Sequence, residues 1–259
     1  MKILFIGDIV GEPGRRVILK CLHKIIPQHQ VDLVIGNAEN AAGGFGITPD
    51  VAGDLFDMGL SVITLGNHAW DKKEAISLIE KDGRFLRPAN YPEGVPGRGS
   101  LTVETAQGET LGILQIMGRV FMPTLDCPFR VAEREVAVLR QRTPAIIVDM
   151  HAETTSEKTA MGHFLDGKVS AVVGTHTHVQ TADDQILPKG TAYLTDIGMT
   201  GPVNSVIGMK PDTVIQKFLT QMPRRFEVAS GPAVLQAALI EVDGMTGKAI
   251  GIQRLQVPE

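Results

Sequence analysis

Cysteine is scarce in this sequence. Two residues in 259, Cys21 and Cys127, cannot build a disulfide framework, which excludes the small stapled scaffolds of secreted proteins. Cys21 falls in a helical pattern and is expected to pack, whereas Cys127 precedes Pro128 in a loop; a reducing, cytoplasmic setting follows. An excess of basic charge is also missing. Lys and Arg number 25 against 29 Asp and Glu, a net charge of −4, so no broad surface for a nucleic-acid backbone is expected. A small anionic substrate stays admissible, because a metal ion reverses the local charge. No apolar run is long enough to span a bilayer. The opening MKILFIGDIV is interrupted by Asp8 and no small-residue cleavage site follows, so it is not expected to act as an export signal. Repeats, low-complexity segments and linkers are absent. With 43% hydrophobic residues the chain can bury a sizeable core, and one domain over residues 1–259 is expected.

What is present alternates. Lys2–Ile6 reads as a strand and Arg15–Ile26 as an amphipathic helix after Pro13. Val31–Ile35 is a second strand, Pro49–Met58 a helix with Thr48 as its N-cap, Ser61–Leu65 a third strand and Asp71–Glu80 a third helix. This order predicts a mostly parallel sheet covered by helices. Ser100–Thr105 and Thr110–Ile116 flank a Gln107-Gly108 turn and read as a hairpin. Pro128–Gln141 and Lys158–Leu165 read as helices, and Ala145–Val148, Ala171–Val173 and Ala192–Leu194 as buried strands. Pro211–Gln221 starts with proline at the first helical position, and the chain closes on two strands, Ala233–Val242 and Ile250–Val257. The pattern as a whole is a mixed β-sandwich flanked by helices.

The residues just after the strands carry the chemistry. Gly7-Asp8 follows the first, Asn37-Ala38-Glu39-Asn40 the second, Asn67-His68 the third, His151 the strand at 145–148, and His176-Thr177-His178 the strand at 171–173. Ligands of open α/β sheets bind outside the carboxyl ends of the strands. Carboxylates, imidazoles and amide oxygens without thiolates suit two hard-to-borderline ions and argue against a structural zinc site. On an irregular turn, His176 and His178 would each face a different ion, with Thr177 turned away. Two ions a few ångströms apart clamp both oxygens of an in-line displacement at phosphorus, a bridging hydroxide being the nucleophile. An imidazole beside them protonates the leaving alkoxide.

Gly7-Asp8, Gly66-Asn67-His68, His151 and Gly174-Thr-His176-Thr-His178 together resemble the calcineurin-like metallophosphoesterases. Three departures narrow the resemblance. Asp8-Ile9-Val10 lacks the histidine of the general Asp-x-His, Glu39 stands where the general family has a bridging Asp, and Ala69-Trp70-Asp71 follows the Gly-Asn-His. With KILFIGDIVGEPGR, GNAENAAGGFGIT, TLGNHAWD, VDMHAETTSEK, VVGTHTHVQTAD and TDIGMTGP, they are similar to the bacterial YmdB-like subfamily. The resemblance implies a four-layer α/β/β/α sandwich with mixed sheets and two divalent or trivalent metal ions, iron or manganese. It implies hydrolysis of small phosphodiesters, with 2′,3′-cyclic nucleotides as the substrate class. It further implies that Asp8, Glu39, Asn40 and His178 hold one metal, with Asn40 partly replacing the missing histidine. Glu39 then bridges to a second, held also by Asn67, His151 and His176. His68 is left as the general acid, or as a hydrogen-bond donor to the phosphate.

Each residue also has an ordinary reading. Asp8, Asn37, Asn40 and Asn67 are common turn residues, and Asn37 is read that way. Gly43-Gly44-Phe45-Gly46 is either a turn with positive φ or a loop at the mouth of the site, with Phe45 against a base. Arg119 is a weaker candidate for the substrate rim, a solvated arginine being the commoner case, and Trp70 is expected to support the site from below. Two other functions fit the same residues: a regulator that binds a nucleotide or a protein with incidental turnover, and a phosphomonoesterase. A homo-oligomer is among the expected assemblies, since most soluble assemblies are symmetric.

Overall fold

The computed structural model describes residues 1–259. Fourteen strands and six helices follow in order: β1 (Lys2–Ile6), β2 (Asp8–Ile9), α1 (Gly11–His29), β3 (Leu33–Asn37), α2 (Pro49–Asp57), β4 (Val62–Thr64), α3 (Lys73–Lys81) and β5 (Phe85–Leu86) in the first half. Then come β6 (Ser100–Glu104), β7 (Thr110–Met117), α4 (Pro128–Leu139), β8 (Ile146–His151), α5 (Thr155–Leu165), β9 (Ala171–Thr175), β10 (Gln185–Ile186) and β11 (Ala192–Leu194). The last are β12 (Met199–Pro202), α6 (Pro211–Thr220), β13 (Ala233–Val242) and β14 (Ala249–Pro258).

Two mixed sheets result. One runs β2-β12-β13-β1-β3-β4-β5, with β14 added on β13; the other runs β10-β11-β9-β8-β7-β6. The parallel runs β1-β3-β4-β5 and β11-β9-β8-β7 bring their carboxyl ends to one edge of the molecule. Alternation along each strand sorts the core into three layers. Ile3, Phe5 and Ile35 of the first sheet meet Ile113, Ile147 and Val173 of the second. Leu4, Ile6 and Ile63 face α1, whose Val17, Ile18, Cys21, Leu22 and Ile25 form one buried stripe. Leu114, Val148 and Met150 face α4 and α5. This is the expected four-layer sandwich. No helix is long and apolar enough to cross a membrane.

Several boundaries differ from the sequence reading. α1 begins at Gly11 and runs past Pro27, which falls in its last turn; Gln30 closes it in the left-handed region, with φ 56°. Thr48 sits at the N-cap of α2 without bonding through its side chain, and Pro49 starts the helix instead. His151 is the last residue of β8 rather than a residue beyond it. The pairing of β2 with β12 was not foreseen, and it places Asp8 opposite Met199.

Candidate metal centre

Polar side chains at the strand ends are anchored from behind and turned towards one another. Asp149 is buried in β8 and accepts from the hydroxyls of Thr64 and Thr175, both at 2.7 Å. Thr175 has thereby spent its only proton, so at 2.8 Å it accepts from His151 Nδ1. His151 Nε2 is turned the other way, towards Glu39 Oε1 at 3.0 Å, Asn67 Oδ1 at 3.0 Å and His176 Nδ1 at 3.1 Å. One ring nitrogen carries at most one hydrogen and cannot satisfy three acceptors. Ligands about 2.1 Å from an octahedral ion lie about 3 Å apart at adjacent corners. The spacing of this cluster fits a cation. Gly66 makes the approach feasible: a Cβ there would lie 2.2 Å from His151 Nε2.

A second cluster adjoins the first. Asp8 is fully buried; its Oδ2 accepts from the His176 amide at 3.1 Å, while Oδ1 has no hydrogen-bond partner. Asn40 gives its amide N–H to the Gly44 carbonyl, leaving its buried Oδ1 without a partner. His178 donates from Nδ1 to the Ile207 carbonyl at 2.9 Å, so Nε2 faces Asp8 Oδ1 at 3.9 Å. Buried lone pairs without donors are rare and call for an explanation. Glu39 joins the first group through Oε1, which meets His151, while Oε2 accepts from the His68 amide at 2.8 Å.

The His-x-His turn has its own support. His176 and His178 both take positive φ, 100° and 64°, which side chains with a Cβ adopt at a cost. Thr177 holds them there. Its amide and hydroxyl donate to Asp196 Oδ2 at 3.1 and 2.7 Å, and the buried Lys158 ammonium sits 2.6 Å from the same oxygen. Thr177 is turned away from the donors, as expected, and the two imidazoles face different clusters. Glu153 Oε2 lies 3.0 Å from His176 Nε2 and fixes that ring from its exposed side.

Charge follows the geometry. Burial opposes the ionised form of Glu39, but the His151 ring and the bonds from His151 and His68 prevail and hold the carboxyl down at about 2. Burial likewise opposes a charged His151, and the carboxylates of Glu39, Asp8 and Asp149 outweigh it, pushing the ring up to about 9. His176 is pressed down to about 3, first by burial and then by repulsion from His151. Burial raises Asp8. Without cations, the cluster thus keeps a proton on His151, at the point where the donors meet.

His68 stands beside the clusters and is not part of them. Its Nδ1 lies 2.7 Å from Asp71 Oδ2, its ring meets Phe45 edge-on at 5.1 Å, and it lines a cavity of about 530 Å³ with Glu39, Asn40, His176 and His178. Phe45 lines the same cavity. The glycines around it, Gly43, Gly44 and Gly46, all take positive φ, so the turn and the loop at the mouth are one feature. Arg119 is not brought there: its amide bonds Glu157, its side chain is exposed, and it does not line the cavity. Asn37 ends β3 and its Oδ1 accepts from the Glu39 amide, in keeping with a turn role. Trp70 packs against the core and on Tyr91. Sequence reasoning missed Asp149, Lys158 and Glu153. Only Asp149 carried a signal, as a lone carboxylate in the apolar run IIVDMH.

Comparison with known proteins places the chain in a family. A family model described as YmdB-like protein matches residues 4–255. A 2′,3′-cyclic-nucleotide 2′-phosphodiesterase of Bacillus subtilis (strain 168) is 48% identical over 257 residues, covering 99% of this chain and 97% of that one. The crystal structure of a hypothetical protein from Thermus thermophilus superposes with a TM-score of 0.94 at 44% identity, covering 100% of both chains. The calcineurin-like phosphoesterase YfkN of Bacillus subtilis matches with a TM-score of 0.61 at 12% identity, over 100% of this chain and 90% of that one, a likeness of fold.

Proposed function

Because this chain belongs to the YmdB-like family, we propose that it is a dinuclear metal-dependent phosphodiesterase whose substrates are small phosphodiesters, 2′,3′-cyclic nucleotides in particular. The observation that carries the reading is the double cluster of buried lone pairs around Glu39, with His68 next to it at the cavity. Asp8, Asn40 and His178 would hold one ion and Asn67, His151 and His176 the other, with Glu39 shared between them. The oxygen and nitrogen donor set, free of thiolate, suits iron or manganese. When bound, the two ions neutralise phosphate charge and lower the pKa of water at the site.

The chain's own residues supply the rest. Thr175 and Ile207 accept from the Nδ1 atoms of His151 and His178, so the opposite nitrogens present lone pairs. His68 is held by Asp71, which takes the Nδ1 proton and leaves Nε2 to face the substrate. From there it hands a proton to the departing ribose oxygen. The cavity extends well past the donors, which favours an ester carrying an organic group over inorganic phosphate.

Hydrolysis of 2′,3′-cyclic AMP by the manganese-loaded protein, beside its His68→Ala variant, tests this, with the product isomer identified. Turnover that collapses in the variant while metal stays bound is the expected result. Equal turnover in both would remove His68 from the reaction, and no turnover by a protein holding two metals would overturn the substrate assignment.

A further inference from the structure

The far wall of the cavity differs from the donor wall in kind. Ile207, Val214, Lys217, Phe218 and Phe226 form it. Val214 and Phe218 are four residues apart on α6 and share one face. Phe218 is 72% exposed although it lines the cavity, so its ring is presented to the opening and not packed away. The Lys217 ammonium stands 4.8 Å from the centre of the Phe226 ring, a cation held over an aromatic face. Ile207 ties this wall to the donors. It is a β-branched residue in the left-handed region, with φ 46°, and its carbonyl takes the His178 Nδ1 proton. One strained residue thus fixes the spacing between the metal donors and the apolar wall.

We propose that this wall is a nucleobase subsite: Phe218 stacks on the base, Lys217, held over the Phe226 ring, donates to its acceptor edge, and the phosphodiester sits at the donor wall. The inference rests on the phosphodiesterase reading for where the phosphate lies. The wall's chemistry points to a heteroaromatic group. Aromatic faces beside an ammonium suit a flat ring with acceptor nitrogens or oxygens. An acyl chain has no use for the cation, and a sugar needs more hydrogen-bonding groups than the wall offers. Since stacking is tolerant of base identity and every base has an acceptor edge, the subsite accepts all four bases, with purines ahead because they cover more of the ring.

The test compares 2′,3′-cyclic AMP with glycerol 1,2-cyclic phosphate, which keeps the five-membered phosphodiester and lacks the base, on the manganese-loaded chain. Calorimetric binding of adenosine 3′-monophosphate and of inorganic phosphate forms a second arm. Wild type prefers the nucleotide in both arms. Phe218→Ala, at an exposed position, lowers that preference about tenfold, through KM more than kcat. Lys217→Met lowers it less. Ile215→Ala, on the outward face of the same helix, keeps the wild-type preference. Wild type that treats the nucleotide and the base-free compound alike, or a Phe218→Ala variant with unchanged preference in both arms, overturns the subsite. If neither ester is hydrolysed while nucleotide binding still depends on Phe218, the subsite stands and the phosphodiesterase reading falls.

Discussion

On one wall of the cavity Glu39, Asn40, His68, His176 and His178 stand at the ends of strands; on the other Val214, Lys217, Phe218 and Phe226 stand on a helix and the irregular segment after it. The first wall is held in place through several contacts per residue. Glu39 alone meets His151 and the His68 amide, and Thr177 gives Asp196 two bonds. The second meets the first through the turn at 205–209, and its Phe218 is open to solvent. Reacting groups must be placed to within fractions of an ångström, which rigid strand ends can do. A surface that grips a flat ring tolerates looser placement, and a helix presenting side chains suffices. Variation in substrate choice should therefore fall on the second wall, and loss of chemistry on the first.

Substitutions on the donor wall sharpen that contrast most. Glu39→Ala removes the carboxylate proposed to serve both ions; metal content measured by atomic emission should fall, and hydrolysis should drop by several orders of magnitude. An active Glu39→Ala protein with its metals intact would break the account of the wall. His68→Ala is expected next, with kcat lower by about a hundredfold to ten-thousandfold and metal content unchanged. Lys158→Met tests the support beneath the His-x-His turn. It leaves Asp196 buried without its cation, a loss of about 3–5 kcal/mol in urea unfolding, with metal affinity about 10–100-fold weaker. If metal affinity stays at the wild-type value, the turn does not depend on the pair.

The smallest effect concerns pH. His151 in the cation-free protein titrates at about 9, above its ordinary 6.5, because of the carboxylates around it. The charged ring stabilises this form fully below pH 6.5, and that contribution is lost as pH rises through about 9, a change on the order of 1–3 kcal/mol. Metal-stripped protein should lose stability over that window in urea titrations, while manganese-loaded protein, with the cation in the proton's place, should not. Parallel pH curves for the two forms would contradict this.

The same contrast governs what could be read from the sequence. Strand ends were legible because polar residues break an apolar run at a fixed place: Asp8 after KILFI, His151 closing IIVDMH, and His176 after AVVGT. The element order and the helix-flanked β-sandwich followed from hydrophobic periodicity, and the four layers from the family resemblance. The pairing of Lys158 with Asp196 was not legible, since they lie 38 residues apart and a lysine near the start of α5 looks solvated until the fold closes over it. The strand pair β2-β12 was too short to leave a pattern. Nor did Val214, Lys217 and Phe218 stand out, for an amphipathic helix shows the same residues whether it covers a core or a cavity. Arg119 was drawn in by its charge and its place after a strand, but the Glu157 carboxylate binds its backbone and the side chain turns to solvent.

The donor wall is proposed to hold two metal ions about a shared Glu39. Calorimetric titration of manganese into the metal-stripped chain tests it most directly. Two ions should bind per chain, and that pair should be lost in Glu39→Ala. A single ion, or none, or two that persist without Glu39, would contradict it.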